Sequence, residues 1–310
     1  MLLNILFIVV GVALVIWGAD RMTDGAVAIA QRLRIPQIII GLTIVAMGTS
    51  MPEFFVSLMS ALKGTPDLAV GNVVGSNIFN TLLIVGVAAM VTPIVILRST
   101  VKKDMPWAML ASAALAALCL DSTISRVDAA ILTAAFIAFI LYTLYQARKG
   151  KEEESAEGKK LSPLVAVGLV LLGLACLILG SNLFVDSATK VAEQLGVSQA
   201  VIGLTIVAGG TSLPELATSV VAARKGQSAI AIGNVIGSNV YNVLMIIGIT
   251  GLIHPMNIEG ITLVDFGVMA FGMLLLWLFS FTKFKVERWE GSVLTGFFAA
   301  YMAWLLSQVI

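Results

Sequence analysis

The chain has 310 residues, of which 59% are hydrophobic and 12% are charged, and its mean hydropathy is +1.00. A composition this apolar lies outside the range of soluble globular domains and indicates a membrane protein. The formal net charge is +1. The basic residues are scattered between apolar segments instead of forming a stripe, which argues against a nucleic-acid partner.

Apolar segments of about 20 residues are long enough to span a bilayer as helices. Ten such segments, bounded by charged residues, Pro or Gly, predict an all-α membrane protein with ten transmembrane helices. We place the spans near residues 2–19, 36–61, 68–92, 105–120, 127–146, 163–185, 198–223, 228–252, 261–281 and 291–309.

A strongly polar segment, 148–162, separates the first five predicted spans from the last five. It is too short and too charged to pack a core, so it predicts a linker between a first half, 1–147, and a second half, 163–310. With the N-terminus outside, 16 of the 19 basic residues fall on the cytoplasmic side. The positive-inside rule then predicts a multi-pass protein of the plasma (inner) membrane, with both termini outside and the linker in the cytoplasm.

Residues 41–86 and 203–248 are two copies of one sequence. Aligned at a constant offset of 162 residues without a gap, they agree at 26 of 46 positions. Because each half contains an odd number of predicted spans, the second copy enters the membrane in the opposite orientation, and the repeats are inverted. In transporters with inverted repeats, ion sites lie near the bilayer midplane, on interrupted helices where the repeats meet.

Each copy carries one carboxylate inside an apolar segment, Glu53 in GTSMPE and Glu215 in GTSLPE. The preceding proline removes a backbone hydrogen bond, which predicts a helix break and frees the carbonyl of Gly48 or Gly210. A glutamate at bilayer depth costs a few kcal/mol unless it is paired or solvated, and no basic residue is predicted opposite. The pair therefore indicates a bound cation or proton, and the alternative is two protonated packing residues.

Helical spacing places further polar side chains beside each glutamate. Their oxygens, without His or Cys, form a ligand set that suits a hard cation. The alternative for the Ser and Asn residues is that they only hydrogen-bond neighbouring helices together. No motif of an enzyme accompanies them, so we predict neither catalysis nor a cofactor. The set comprises Thr49, Ser50, Asn72, Ser76 and Asn80, with counterparts Thr211, Ser212, Asn234, Ser238 and Asn242.

The motifs GTSMPE with GNVVGSNIFN, repeated as GTSLPE with GNVIGSNVYN, resemble the two inverted repeats of the sodium/calcium exchangers, within the calcium/cation antiporter superfamily. The resemblance covers essentially the whole chain, and the short linker is similar to that of prokaryotic members. It implies an antiporter that exchanges sodium for calcium by alternating access, with the first and sixth spans sliding over the others. The implied calcium site uses Glu53, Glu215, Thr49 and Thr211. The implied sodium sites use both glutamates with Ala46, Ser50, Ser76, Asn80, Ala208, Ser212, Ser238 and Asn242.

Two departures from related families narrow this interpretation. Proton/calcium exchangers of the superfamily carry an acid in the second motif, where this chain has GSNIFN and GSNVYN. Potassium-dependent relatives have Asp at the position of Asn242. The resemblance thus implies exchange that is independent of potassium. We expect the monomer to be functional, with small inorganic cations and the bilayer as its partners. A proton- or potassium-coupled cation antiporter and, from another class, a cation channel stay open as alternatives.

Overall fold

The computed structural model describes residues 1–149, 161–197 and 202–307. As the composition predicts, this part of the chain is mostly helical. We number its helices in chain order as α1 (Leu2–Leu33), α2 (Gln37–Thr49), α3 (Met51–Leu62), α4 (Pro66–Val91), α5 (Thr100–Asp121), α6 (Arg126–Lys149), α7 (Pro163–Gln194), α8 (Thr205–Thr211), α9 (Leu213–Arg224), α10 (Ser228–Ile253), α11 (Leu263–Phe281) and α12 (Arg288–Ser307).

Within the described residues, seven helices are each long and apolar enough to cross a membrane. Two further spans arise if each bent pair is counted once: α2 meets α3 at 46°, and α8 meets α9 at 57°. The protein is therefore a multi-pass membrane protein with seven to nine candidate spans. The predicted tenth span corresponds to α12, a helix of 20 residues that does not pass the same test of length and hydropathy.

Two helices extend well beyond the predicted spans. α1 continues to Leu33 and α7 to Gln194, where the sequence predicted ends near 19 and 185. At 1.5 Å per residue, a helix of 32 residues is about 48 Å long, which exceeds the hydrocarbon core of about 30 Å. The length of an apolar segment predicts only the membrane-embedded part of such a helix and does not predict where the helix continues through more polar residues. Residues 150–160 of the predicted linker, 198–201 at the start of a predicted span and 308–310 at the end of the chain lie outside the described residues.

Glycines allow α1 and α7 to approach each other closely. Gly11 faces Gly180 and Gly18 faces Gly173, so that a Cβ atom on Gly18 would lie 2.7 Å from the Gly173 carbonyl oxygen. Without side chains at these positions, the two backbones pack together, as small residues permit between helices in membranes.

Two short antiparallel ribbons, which the sequence did not predict, join the halves of the chain. β1 (Ile94–Val95) pairs with β4 (Lys285–Val286), and β2 (Thr123–Ile124) pairs with β3 (Met256–Asn257). Adding 162 to the β1 residues gives β3, and adding it to β2 gives β4. Each ribbon thus takes one strand from each half, in equivalent registers.

The same offset relates the helices that surround the centre. α3 and α9 begin 162 residues apart, as do α4 and α10. Among the long helices, α4 and α10 are the most buried. α10 packs against Gly41–Val45 of α2, and the Tyr241–Ile247 part of α10 packs against α4, so the two copies of the duplicated sequence meet in the interior.

Candidate cation site

Glu53 and Glu215 are fully buried in the first turns of α3 and α9, immediately after the two bends. Pro52 and Pro214 also lie in these first turns, where a helix has no use for the missing N–H group. The helix breaks are therefore where the prolines predict them. The positive end of each helix dipole faces its carboxylate, which favours negative charge there.

Each carboxylate is held by a hydroxyl group from the other half of the chain. Ser212 Oγ donates to Glu53 Oε1 at 3.0 Å, and Ser50 Oγ donates to Glu215 Oε1 at 3.1 Å. Thr211, the last residue of α8, directly precedes Ser212. These reciprocal bonds bring the two GTS segments and both glutamates together.

The second oxygen of each carboxylate is buried and has no hydrogen-bond partner among the residues that the structure describes. A buried acceptor left in this state costs about 1–3 kcal/mol, more when it is charged, so a cation or water is needed to satisfy it. Of the neutral oxygens that are buried and unpartnered among the described residues, three belong to side chains predicted as cation ligands. Together with the two carboxylate oxygens, they are called the oxygen cage below: Glu53 Oε2, Glu215 Oε2, Asn80 Oδ1, Asn242 Oδ1 and Ser238 Oγ.

Crossed amide hydrogen bonds orient the two asparagines of the oxygen cage. Asn80 Nδ2 donates to Asn239 Oδ1 at 3.2 Å, and Asn242 Nδ2 donates to Asn77 Oδ1 at 3.1 Å. Because each amide nitrogen is used across the interface between the halves, each amide oxygen stays free. Sequence reasoning gave no role to Asn77 or Asn239, although the GSN triplet in both copies was a usable signal.

Asn80 and Asn242 both lie in π-helical segments, Phe79–Ile84 and Tyr241–Ile247. Such segments occur often at functional sites, because the wider turn redirects side chains and disturbs the regular backbone bonding. Tyr241–Ile247 packs against α3, and Phe79–Ile84 packs against α9. Each asparagine therefore lies beside the glutamate-bearing helix of the other half.

Two further asparagines brace the glutamate-bearing helices. Asn72 Nδ2 donates to the Glu53 carbonyl at 3.2 Å, and Asn234 Nδ2 donates to the Glu215 carbonyl at 3.3 Å. Thr49 Oγ1 donates to Asn234 Oδ1 at 3.0 Å and so links the halves again. Asn72 and Asn234 thus position the backbone, and the amide oxygen of Asn234 is occupied by Thr49.

The remaining predicted residues lie around the same centre. Ser76 Oγ is 3.1 Å from Ser212 Oγ. Ala46 is fully buried and contacts Gly237 of α10. Ala208 begins the α-helical turn Ala208–Thr211, and its side chain lies outside what the structure describes.

The carbonyls of Gly48 and Gly210, expected to be freed by the prolines, are partnered. Each carbonyl oxygen accepts a hydrogen bond from a backbone N–H group at the end of its helical turn. The Gly210 carbonyl oxygen also accepts a hydrogen bond from Ser181 Oγ of α7 at 2.5 Å. Local turn bonds and a neighbouring hydroxyl replace the hydrogen bond that proline cannot make, so these two carbonyls are not free to bind a cation.

No basic side chain forms an ion pair with either glutamate in the part of the chain that the structure describes. The same residues contain no group of three or more His, Cys, Asp or Glu that could hold a metal ion. The centre therefore offers two carboxylates and several neutral oxygens. Such a set fits a hard cation and provides no fixed counter-charge.

The sequence profile described as "Sodium/calcium exchanger protein" matches residues 3–145 and 165–307. The chain belongs to the sodium/calcium exchanger family. The exchanger is 38% identical over 319 residues to the putative antiporter CaxA of Alkalimonas amylolytica, an alignment that covers 99% of this chain and 100% of the relative. It is 33% identical to the sodium/calcium exchanger MaX1 of Methanosarcina acetivorans, with 96% and 97% of the two chains covered.

The fold of the exchanger is similar to that of a solved sodium-calcium exchanger, NCX_Mj. The TM-score is 0.85 at 30% identity, and the superposition covers 98% of each chain. The resemblance identified from the two motifs is thus confirmed, and the relatives are transporters, not enzymes. The protein is a membrane antiporter of calcium and other small cations, in a family whose transported ions are Na⁺ and Ca²⁺.

Proposed function

We propose that the exchanger couples the movement of Na⁺ in one direction to that of Ca²⁺ in the other, by alternating access and without potassium. The observation that supports this proposal is the oxygen cage, in which buried oxygens from both halves lack partners. Its mixture of charged and neutral acceptors suits hard cations and provides ligands that two kinds of ion can share.

In this proposal, calcium lies between Glu53 and Glu215 and is also bound by the backbone carbonyls of Thr49 and Thr211. Two carboxylates balance the charge of one Ca²⁺. Reciprocal serine bonds hold one oxygen of each carboxylate, at 3.0 and 3.1 Å, and leave the other available to the ion.

Sodium ions occupy sites that share the same two glutamates. The neutral oxygens added to them come from hydroxyl groups, amides and backbone carbonyls, which suit a monovalent cation that needs fewer charged ligands. The residues proposed for sodium are Ala46, Ser50, Ser76, Asn80, Ala208, Ser212, Ser238 and Asn242.

Shared ligands explain how the two fluxes are coupled. A carrier with two uncompensated carboxylates in the bilayer is costly, so the exchanger changes its exposed side only with cations bound. Calcium and sodium compete for the glutamates, and one replaces the other. If more than two Na⁺ replace each Ca²⁺, every cycle moves net charge, which is worth about 2.3 kcal/mol per charge per 100 mV.

The proposed architecture is ten spans in two inverted halves, 1–147 and 163–310, joined by a cytoplasmic linker at 148–162. The offset of 162 residues between equivalent helices and the two separate matches of the family profile support it. α12 then serves as the tenth span. Because the oxygen cage is built from one chain, we also propose that the monomer is functional and lies in the plasma membrane with both termini outside.

Alternating access is proposed to involve movement of α1 and α7 relative to the remaining helices. These two helices pack along each other through facing glycines, such as Gly18 and Gly173. This close and extensive contact supports movement of α1 and α7 together, as one unit.

Calcium flux into proteoliposomes tests the proposed coupling. Vesicles loaded with sodium and diluted into a sodium-free medium should take up calcium, and equal sodium on both sides should stop net uptake. Potassium on either side should leave the rate unchanged. Uptake that ignores the sodium gradient and follows an imposed pH gradient would overturn the sodium coupling, and calcium flux without a counter-ion would identify a channel.

A further inference from the structure

The two β-ribbons are equivalent in backbone but opposite in charge. Ile94 pairs with Val286 in one ribbon, and the equivalent pair in the other is Met256 with Ile124. The first ribbon is surrounded by residues 96–103, which end in the first turn of α5, and by residues 282–288, which end at the start of α12, and we call this region the basic clip. Its basic residues are Arg98, Lys102, Lys103, Lys283, Lys285 and Arg288.

Three contacts gather these segments into one surface. The first is the pairing of β1 with β4 itself. Trp277 Nε1 of α11 donates to the Val101 carbonyl at 2.9 Å, which holds the start of α5 beside the end of α11. The Ile96 N–H group donates to the Phe284 carbonyl at 2.8 Å. The side chains of the basic clip therefore belong to one patch, although they come from both halves of the chain.

The basic clip has almost no compensating negative charge. Its accessible acid, Glu287, pairs with Lys285 at 2.6 Å. Two other acids nearby, Asp104 and Glu290, are buried at 8% and 0% exposure, and Glu290 accepts the Glu287 N–H group at 2.7 Å. The remaining five basic side chains are exposed, and none forms an ion pair with another described residue.

The fold does not require this charge. At the equivalent positions around the β2–β3 ribbon, the same backbone arrangement carries one basic residue, Arg126, and two acids, Asp121 and Asp265. The other equivalent residues there are Gly260, Val264 and Thr123.

Apolar surface adjoins the basic clip where the helices end. Phe281, the last residue of α11, is 42% exposed, and Trp289 near the start of α12 is 59% exposed. The Arg98 guanidinium lies over the Phe284 ring, 5.9 Å from its centroid. Exposed aromatic residues at helix ends are typical of the boundary between acyl chains and headgroups.

We propose that the basic clip binds the phosphate headgroup of an anionic phospholipid, whose acyl chains lie against the neighbouring aromatic surface. Clustered basic residues next to transmembrane helices attract anionic lipids, with each residue adding to the affinity. The positive-inside rule accounts for the sign of the charge on this face. It does not require five exposed cations to converge on one ribbon beside apolar surface.

Native mass spectrometry tests the site on the purified exchanger, taken from vesicles with equal amounts of phosphatidylglycerol and phosphatidylcholine. The exchanger should retain phosphatidylglycerol preferentially. In the triple variant Arg98→Gln, Lys102→Gln and Lys283→Gln, we expect this preference to fall about tenfold or more, because three attractive charges are lost. The matched control is Arg126→Gln at the equivalent ribbon, which should retain the lipid like the unmodified protein.

A second variant separates lost charge from lost structure. Arg98→Lys, Lys102→Arg and Lys283→Arg keep every charge and should keep the lipid preference. Unchanged retention in the glutamine variant would overturn the proposal and leave the basic residues with a role in membrane orientation only. Equally strong binding of inorganic phosphate to the delipidated exchanger would also overturn it, because the site would then recognise a free anion.

Discussion

At the centre of the exchanger, one carboxylate oxygen of each glutamate accepts a hydrogen bond from a serine, and the other is available to a ligand. Glu53 Oε1 accepts a hydrogen bond from Ser212 Oγ at 3.0 Å, while Glu53 Oε2 is buried without a partner among the described residues, and Glu215 has the same arrangement with Ser50. The serine bonds fix the direction of each carboxylate. The second oxygen of each carboxylate is then left free to bind a cation.

Glu53→Gln and Glu215→Gln remove one negative charge each but keep an oxygen that can accept the serine hydroxyl. We expect both variants to fold and to lose calcium affinity by about 100-fold, or about 2.7 kcal/mol, with calcium flux reduced accordingly. Calorimetry on the purified protein measures the affinity. Glu259→Gln, in an exposed loop, is the control, and near-normal sodium-driven flux in either central variant would refute the assignment of the glutamates.

Asn242→Asp adds a third carboxylate to the oxygen cage. The amide nitrogen that donates to Asn77 Oδ1 at 3.1 Å is lost, and a charge appears where the unmodified protein has a neutral oxygen. With one Ca²⁺ bound, the site would carry an excess negative charge that a further monovalent cation can neutralise. We therefore expect potassium to stimulate calcium flux in this variant only. Equal stimulation of the unmodified exchanger would contradict the proposed independence from potassium.

At the scale of elements, proline and periodicity predicted the helix breaks but not the contacts made at those breaks. Pro52 and Pro214 mark the bends of 46° and 57° because the local chemistry of proline decides them. The partners of Gly48 and Gly210 could not be predicted, since Ser181 reaches Gly210 from a distant helix. The π-helical segments around Asn80 and Asn242 likewise depend on packing between the halves, which a single segment does not encode.

The contact between α1 and α7 depends on glycine. A Cβ atom at Gly18 would lie 2.7 Å from the Gly173 carbonyl oxygen, and that backbone cannot yield without separating the helices. We expect Gly18→Ala to destabilise the protein by about 1–3 kcal/mol, the usual cost of overpacking.

Thermal unfolding in detergent measures this effect. Gly168→Ala on α7 is the matched control, because a Cβ atom there meets nothing within 4 Å and alanine favours the helix. If both variants unfold at the same temperature as the unmodified protein, the glycines are not required for the close packing of α1 on α7.

At the scale of the whole molecule, duplication made the centre predictable. The offset of 162 residues in the sequence recurs in the helices and in the two ribbons, so both glutamates were expected to meet. The ribbons themselves were not predicted, because two-residue strands such as Ile94–Val95 have no detectable alternation and form only when the halves come together. The lengths of α1 and α7 were underestimated for a different reason, since hydropathy does not register a helix that leaves the membrane.

The orientation of the exchanger is the remaining consequence of its charge distribution. If the N-terminus lies outside, 16 of the 19 basic residues fall on the cytoplasmic side, so the positive-inside rule predicts a cytoplasmic linker and two external termini. Single cysteines test this after the native Cys119 and Cys176 are replaced by serine. In intact cells, an impermeant maleimide should label Ser307→Cys at the exposed end of α12 and should label Ser155→Cys in the linker only after permeabilisation. The reverse pattern would place the basic clip on the outer face and invert the proposed direction of every span, while leaving the pairing of Glu53 with Glu215 unaffected.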